Sequence, residues 1–483
     1  MELAAGKSGI LRNVVLRFLF FSLIVVVVRF AYVITIRGES CTAGDDFCFF
    51  SSSSTSPENQ NLVTATGGHL DSSSSVTLNP TAAASPDFNK HVFFYTTVFQ
   101  NLIADGFLST NSKSLCVGTP AGDDVYALKQ ININDSVGLT GLPHRHPFNN
   151  NTFDFIFSGN GALDRSTKPS QSASEIVRTL KPERYVVVHT SSKDPYSFNS
   201  FIRLFKPCTF IRSRQIDGFV EITMKKQIQQ TDENSTNQCS IEGKQELVKK
   251  IEPLIESEPL KPWITLKKNL INVKYLPSMA DISYKQNYVY IDVGARSYGS
   301  SIVSWFKKQY PKQNKSFDIY AIEADKHFHN QYKSKKGVTL LPYAAWVKNE
   351  SLIFEINQTT IRDNDNGNER GMGRIRRGES RKSGSGDVVQ GFDFAEWLKK
   401  TASENDFVVV KMDVEGAEFE LIPKLVETGA ICLIDEMFIE CHYNRWQKCC
   451  PGVRSPKYEK TYVQCLDLFM SLRRRGVLVH QWW

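Results

Sequence analysis

Three runs of this sequence carry residue types and spacings suited to holding a nucleotide-like ligand. YVYIDVGARSYGSSIVSWFKK reads as an apolar strand ending in Asp292, a turn holding Gly294 and Gly299, and an amphipathic helix. Glycines let a backbone approach a ligand closely, and the amino end of a helix helps to satisfy its polar or anionic groups. Further on, FDIYAIEAD ends a second strand at Glu323, where a doubly wound nucleotide site offers a carboxylate to ribose hydroxyls. FVVVKMDVEGAEFELIPKL is a third strand, whose end carries Lys411, Asp413, Glu415 and Glu418 around Gly416. Acids at the carboxyl end of a parallel strand lie where such sheets bind ligands.

The elements that must position these residues are legible as a pattern. Apolar, β-rich runs at Tyr288–Val293, Asp318–Glu323, Thr339–Tyr343, Ser351–Ile356, Phe407–Met412 and Ile431–Ile439 alternate with helical stretches such as Ser301–Tyr310 and Phe394–Thr401. That alternation predicts a mainly parallel sheet flanked by helices. Arg362–Asp387 interrupts it with Gly, Asn, Ser and basic residues, and reads as an inserted, mobile loop. After the last of these strands, ECH supplies Glu440 and His442, and an unperturbed imidazole titrates near neutrality. Arg473–Arg475 followed by GVLVHQWW reads as the end of a helix and a last strand.

IDVGAR, IEAD, FDFAEWL and KMDVEGAE, in this order, resemble the FkbM-type methyltransferase family over roughly Tyr288 to Glu440. The resemblance implies a class I, Rossmann-like fold and S-adenosylmethionine-dependent O-methylation. It puts Asp292, Gly294, Ala295 and Gly299 on the cofactor turn, Glu323 at the ribose acid, and Asp413 and Glu415 on a KxDxEG motif lining the reaction side. Two departures stand out: Arg296, and a second turn glycine, Gly299, one residue later than the family's common spacing. Methyl transfer from a sulfonium to a hydroxyl needs in-line positioning and a base, and calls for no metal. Asp413, Glu415, Glu440 and His442 are the candidates for the base. Local roles stay open beside these: Glu418 as a helix-start charge, Glu415 as a cap, His442 as a local hydrogen-bonding group.

The preceding half carries a weaker copy. SLCVGTPAGDDVYAL, LPHRHPFNNNTFDFIFSGNGALD and SEIVRTLKPERYVVVHT resemble the class I methyltransferase superfamily in order and spacing. However, Cys116 stands where an acid is usual, Pro120 replaces a turn glycine, and Thr140 replaces the ribose-binding acid. Without that carboxylate a ribose diol lacks its charge-assisted partner. The unit reads as degenerate, with packing, substrate gripping and dimerisation all open as its role.

At 483 residues, 41% hydrophobic and 23% charged, the chain has length for two or three domains. Its net charge of +7 is spread along the sequence, unlike the concentrated basic face of a nucleic-acid binder. Phe18–Ile36 is apolar except for Ser22, Arg29 and Thr35, about the length of a membrane-spanning helix. A cleaved signal peptide and a buried soluble helix are the rival readings. Lys7, Arg12 and Arg17 before the span keep the amino terminus cytoplasmic. The sequons at Asn134, Asn150, Asn234, Asn314, Asn349 and Asn357 agree with a lumenal chain. Cys41 with Cys48, and the group Cys441, Cys449 and Cys450, are candidates for pairing, whereas Cys116 and Cys432 sit in apolar runs that suit buried thiols.

The expected fold class is therefore α/β: two Rossmann-like class I methyltransferase-type domains behind an N-terminal transmembrane helix. The expected order is a cytoplasmic tail (1–17), an anchor (18–36), a disordered stem (37–88), a degenerate methyltransferase-like domain (89–245), a linker (246–280) and an FkbM-like domain (281–483) with an insertion at 362–387. The expected function is a single-pass, lumen-facing enzyme of the Golgi or ER. It would use S-adenosylmethionine to methylate a hydroxyl of a sugar, glycan or small metabolite, with membrane lipid as its other partner and no nucleic acid. The main alternative is a non-catalytic, membrane-anchored scaffold or binding protein. A glycosyltransferase reading rests on architecture and on Asp363–Asn364–Asp365, an acidic pair with no apolar strand immediately before it. Oligomeric state is left open.

Overall fold

Two open, twisted sheets follow one another along the chain in the computed structural model, which describes residues 62–63, 75–76, 86–227, 239, 243–259, 270–356, 373–375, 387–447 and 453–482. The first sheet contains β1 (Leu62–Val63), β2 (Ser75–Val76), β3 (Ser114–Val117), β4 (Ser136–Leu139), β5 (Phe153–Ser158), β6 (Leu180–Thr190), β7 (Cys208–Ile216) and β8 (Phe219–Lys226). Its order is β2-β1-β4-β3-β5-β6-β8-β7. The strands β4, β3, β5 and β6 run parallel, and the β7–β8 hairpin closes one edge antiparallel.

The second sheet contains β9 (Tyr288–Val293), β10 (Asp318–Ile322), β11 (Val338–Leu341), β16 (Phe407–Met412), β17 (Glu436–Glu440) and β18 (Leu478–Trp482). All six are parallel in the order β11-β10-β9-β16-β17-β18. Counted along the chain this is third, second, first, fourth, fifth, sixth, the doubly wound order that reverses between β9 and β16. A small third sheet, β12 (Ala344–Trp346), β13 (Glu350–Ile356), β14 (Gly373–Ile375) and β15 (Asp387–Asp393), is ordered β12-β15-β13-β14. Its strand β14 falls inside the segment read as a mobile insertion; the rest of that segment, with Asp363–Asn364–Asp365, lies outside the described residues apart from Asp387.

Strands buried on both faces explain the long apolar runs. In β16 every residue is buried, and in β9 all but the first. Helices cover the two faces: the apolar side of Phe394–Thr401 packs on one, and the π-type helix Gly299–Lys307 brings Trp305 and Phe306 to the other. Asp393 caps the first of these through Glu396 N–H, and Thr461 with Gln464 forms a capping box on Tyr462–Arg474. The run read as one strand, Ile431–Ile439, is instead a 3-10 turn, Ala430–Leu433, followed by β17.

The two sheets belong to one compact unit, Gln60–Trp483. Its joint is a buried carboxylate, Asp435, which meets Lys244 at 2.8 Å, Lys285 at 3.4 Å and the Tyr196 hydroxyl at 3.1 Å, and accepts the Val408 N–H at 3.0 Å. Burial opposes the charge of Asp435, but the two lysines and these donors outweigh it and hold the acid down at about 2. Two disulfides tie the second half further, Cys239–Cys432 and Cys441–Cys465, while Cys116 and Cys208 are free thiols. Cys432 is thus cross-linked rather than a buried thiol. Cys41, Cys48, Cys449 and Cys450 lie outside the described residues.

The expected single-pass, lumenal placement is corrected. No helix among the described residues is long and apolar enough to cross a membrane. The longest of them, Pro86–Ala104, is amphipathic and turns Phe88, Val92, Tyr95, Val98, Phe99 and Leu102 onto the first sheet's core. Phe18–Ile36 itself lies outside the described residues.

A buried histidine supplies a pH test of the fold. His480 on β18 sits between Glu252, facing Nδ1, and Glu436, facing Nε2 at 3.0 Å. Burial alone would lower its pKa, but the two carboxylates prevail and raise it from 6.5 to about 9. A folded-state value above the unfolded one means stability that is complete below the unfolded value and is lost as pH rises through about 9. The contribution is roughly 3 kcal/mol. Thermal melting should therefore show wild type above His480→Gln at pH 6, with the gap closing by pH 10.

Candidate functional site

The register of the second sheet brings the sequence motifs to one edge. Val293 pairs with Met412 and with Ile322, so the residues that follow each strand meet at the point where the strand order reverses. Gly294 and Ala295 both donate their N–H to Ile322 O, and Asp413 N–H donates to Val293 O. The approach is so close that a Cβ on Gly294 would stand 1.9 Å from Asp413 O, and its φ of +78° is a left-handed value. Gly299 differs: nothing lies within 4 Å of its would-be Cβ, and it opens the π-type helix.

A narrow crevice, about 110 Å³, opens over these ends. Gly294, Arg296, Glu323, Asp413 and Glu415 line its polar side, with Phe328, Tyr343 and Phe354 among its apolar walls. Glu323 is 7% exposed and clasped to the turn. One carboxylate oxygen accepts the Arg296 N–H and the other the Asp325 N–H, each at 2.6 Å. Burial pushes it up to about 7 against those two donors. Arg296 has a φ of 50° and lays its guanidinium over the Phe328 ring at 5.7 Å, so this residue forms part of the crevice wall.

Asp292, Ala295 and Gly299 do not line this crevice. Asp292 is fully buried beneath it, accepting hydrogen bonds from Ser301 and Tyr290 and facing Lys411 Nζ at 3.6 Å. Burial raises its pKa although Lys411 works the other way. Its place in the structure is to fasten the strand to the helix start. Ala295 is likewise buried, in the packing under the turn.

A second crevice, about 330 Å³, adjoins the first and shares Glu415, Arg374 and Ile375 with it. His442, Lys457 and Tyr458 are on its wall. Asp413 Oδ1 lies 3.6 Å from His442 Nε2, Glu415 Oε1 3.9 Å and Glu440 Oε1 4.0 Å. Glu415 adopts a left-handed φ of 51°, a strained value for a residue with a side chain, and it is held by Lys457 Nζ at 2.7 Å and by the Tyr458 hydroxyl. Desolvation opposes a charge on His442, but Glu418, Asp413 and Glu415 outweigh it and raise the imidazole to about 9. At neutral pH that ring carries a proton and is a poor base. Glu440, by contrast, is driven up by burial, then by Asp413, to about 7.

Sequence reasoning gave Glu418 only a helix-start role and passed over Arg374, Lys457 and Tyr458. Glu418 is fully buried, accepts the His442 N–H at 2.7 Å, and faces Nδ1 at 3.3 Å. Its other oxygen accepts the Gly416 N–H at 3.0 Å, so it braces the site rather than merely starting a helix. Arg374 arrives from β14, and Lys457 and Tyr458 from a loop with no periodicity to announce it. The signal that was available for Glu418 is its position two residues beyond Gly416 at the mouth of an apolar helix.

A family model described as a domain of unknown function (DUF7870) matches residues 248–353 and 368–483. No curated protein matches the chain. Similar solved structures include a chain of the complex between the Haloferax volcanii Trm112 methyltransferase activator and a methyltransferase. It is 14% identical, with 30% of this chain and 96% of that one covered and a TM-score of 0.25. A SAM-dependent methyltransferase from Aquifex aeolicus is 15% identical, over 30% and 93%, with a TM-score of 0.24. The 1,6-didemethyltoxoflavin-N1-methyltransferase of Burkholderia thailandensis is 13% identical, over 30% and 92%, with a TM-score of 0.21. At such scores the doubly wound fold rests on the strand order above, and the FkbM resemblance on its four motifs.

The two turn glycines should separate in mutagenesis. Gly294→Ala meets both a backbone oxygen and a left-handed φ, and should cost more than about 2 kcal/mol in denaturant unfolding. Gly299→Ala, in open space, should change stability by less than about 1 kcal/mol.

Proposed function

We propose that the chain is an S-adenosylmethionine-dependent O-methyltransferase acting on a hydroxyl of a sugar, glycan or small metabolite. The observation that carries the reading is the pair of adjoining crevices that meet at Glu415. The first ends on a glycine turn and a buried acid, Gly294 and Glu323, as a site for a ribose-bearing cofactor does. Its apolar walls suit an adenine ring. The second presents acids and an imidazole to whatever occupies it, at the side where a methyl group would leave the cofactor.

In this reading Glu323 takes the ribose hydroxyls with the lone pairs that the two backbone N–H groups leave over. Asp413 lines the first crevice next to Glu415, the acid common to both, and would face the sulfonium end of a bound cofactor. Its carboxylate, with Lys411 behind it at 3.5 Å, favours the sulfonium charge of the bound cofactor. Glu415, which lines both crevices, is the acid we assign to take the acceptor's proton as its oxygen attacks, with Asp413 and Glu440 as neighbouring alternatives. The FkbM type remains the family that the motifs resemble.

Calorimetric titration of the full-length chain with S-adenosylmethionine tests this reading. Saturable binding is expected, weakened by about tenfold or more in Glu323→Ala, which corresponds to about 1.4 kcal/mol or more. Wild-type protein that takes up no cofactor would leave the non-catalytic scaffold in its place. Binding unchanged by Glu323→Ala would remove Glu323 from the cofactor site.

A further inference from the structure

The acids around His442 are arranged for more than proton transfer. His442 is 5% exposed, and its two ring nitrogens have different surroundings. Nδ1 faces Glu418 Oε1 at 3.3 Å. Nε2 makes no hydrogen bond among the described residues and points at Asp413 Oδ1, 3.6 Å away, and Glu415 Oε1, 3.9 Å away. These separations are too long for hydrogen bonds. Ligand atoms about 2.1 Å from a shared ion stand roughly 3 to 4.2 Å apart, and both separations fall in that range. One donor atom each from Asp413, Glu415 and His442 lie within 4.8 Å of one another, so the two carboxylate oxygens need close by no more than about 0.6 Å to share an ion. The other oxygens are engaged: Asp413 Oδ2 faces Lys411 at 3.5 Å, and Glu415 Oε2 accepts from Lys457 and Tyr458. Each carboxylate therefore presents its remaining oxygen toward Nε2.

We infer that Asp413, Glu415 and His442 hold a divalent cation of the Mn2+ type, oriented by Glu418 and open toward the second crevice, where an acceptor hydroxyl completes its coordination. Two carboxylate oxygens and one imidazole nitrogen suit such an ion, which takes the place of the Nε2 proton and releases it, and three protein ligands leave positions for substrate. Glu418 on Nδ1 is the outer carboxylate that fixes the tautomer of a metal-binding histidine. The inference rests on the methyl-transfer reading and names its acceptor chemistry. A hydroxyl that reaches the cation gives up its proton more readily, so that with Asp413 and Glu415 engaged as ligands solvent takes it. Its oxygen pair forms the O–C bond to the sulfonium methyl, and the C–S bond breaks with its pair kept by sulfur. The products are a methyl ether, the neutral thioether S-adenosylhomocysteine and a solvated proton.

Mn2+ titrated into chelator-stripped, full-length protein and followed by electron paramagnetic resonance tests the site. A single saturable ion showing nitrogen modulation from a bound imidazole is expected. Asp413→Asn should bind it about tenfold or more weakly, and Glu418→Gln, a positioning change, should weaken it within about the same range. His442→Gln should lose the nitrogen modulation, with thermal melting to check that each variant folds. Wild-type protein that binds no Mn2+ saturably, or binds it with no imidazole nitrogen, overturns the site whatever the variants do. Cofactor binding and methyl transfer that persist in chelator while Mn2+ fails to bind overturn the cation and leave the methyltransferase reading intact. Mn2+ held through His442 in a chain that binds no S-adenosylmethionine does the reverse.

Discussion

The close approach of two parallel strand ends, β9 and β16, is the constraint on which the rest of the site depends. Their register sets Gly294 against Asp413 O with no room for a side chain, and the Asp413 N–H closes onto Val293 O. A third strand end joins them when Gly294 and Ala295 donate to Ile322 O. Once these three ends are stitched, Glu323 can reach back to the Arg296 N–H, and Glu415 is left standing between two crevices. The acids do not assemble the site. Backbone hydrogen bonding and a missing Cβ do, and the acids occupy the positions that result.

Holding several carboxylates in so small a volume has an electrostatic cost that the surrounding structure offsets. Lys411 is buried, which works against its charge, yet Asp292 and Asp413 outweigh the burial and hold its pKa up. Asp435 plays the complementary part at the joint between the sheets, where removing one partner of such a buried set typically costs about 3 to 5 kcal/mol. The stretch read as a linker takes part in this. Glu252 pairs with His480, and Leu247, Ile251 and Leu276 enter the core beside Trp305 and Phe438. Tyr284, further along, reaches the first half through Asp164 at 2.8 Å. Segments with little periodicity of their own therefore fasten the two sheets into one unit.

What the sequence disclosed follows from where burial is simple. Tyr288–Val293, Phe407–Met412 and Phe394–Thr401 are found with the boundaries their patterns predict, because each presents an uninterrupted apolar run or stripe to the core. The start of β17 was hidden because Asp435 and Glu436 are charged yet buried, and their partners are Lys244, Lys285, Tyr310 and His480, all distant in sequence. Cys432 was misread for the same reason, since its partner lies 193 residues away. Glu323, Asp413, Glu415 and His442 were legible as chemistry-bearing residues, and the first three line the first crevice. Asp292 was legible as an acid but not as a buried brace, a distinction that depends on Ser301 and Tyr290 folding over it.

The first half shows how much of this is architecture and how much is site. There Gly118, with a φ of +75°, follows β3 as Gly294 follows β9, and its would-be Cβ lies 2.5 Å from Ala162 Cβ. Gly118 and Thr119 both donate to Leu139 O, the same pair of hydrogen bonds that Gly294 and Ala295 make to Ile322 O. The next residue in each case is Thr140 or Glu323. The glycine turn is thus what close-packed parallel strands require, and it is present where no acid follows the neighbouring strand. Its presence alone cannot mark a cofactor site. The functional reading has to stand instead on what the second half adds to that shared frame: a buried acid clasped to the turn, a crevice above it, and carboxylates gathered around one oriented imidazole.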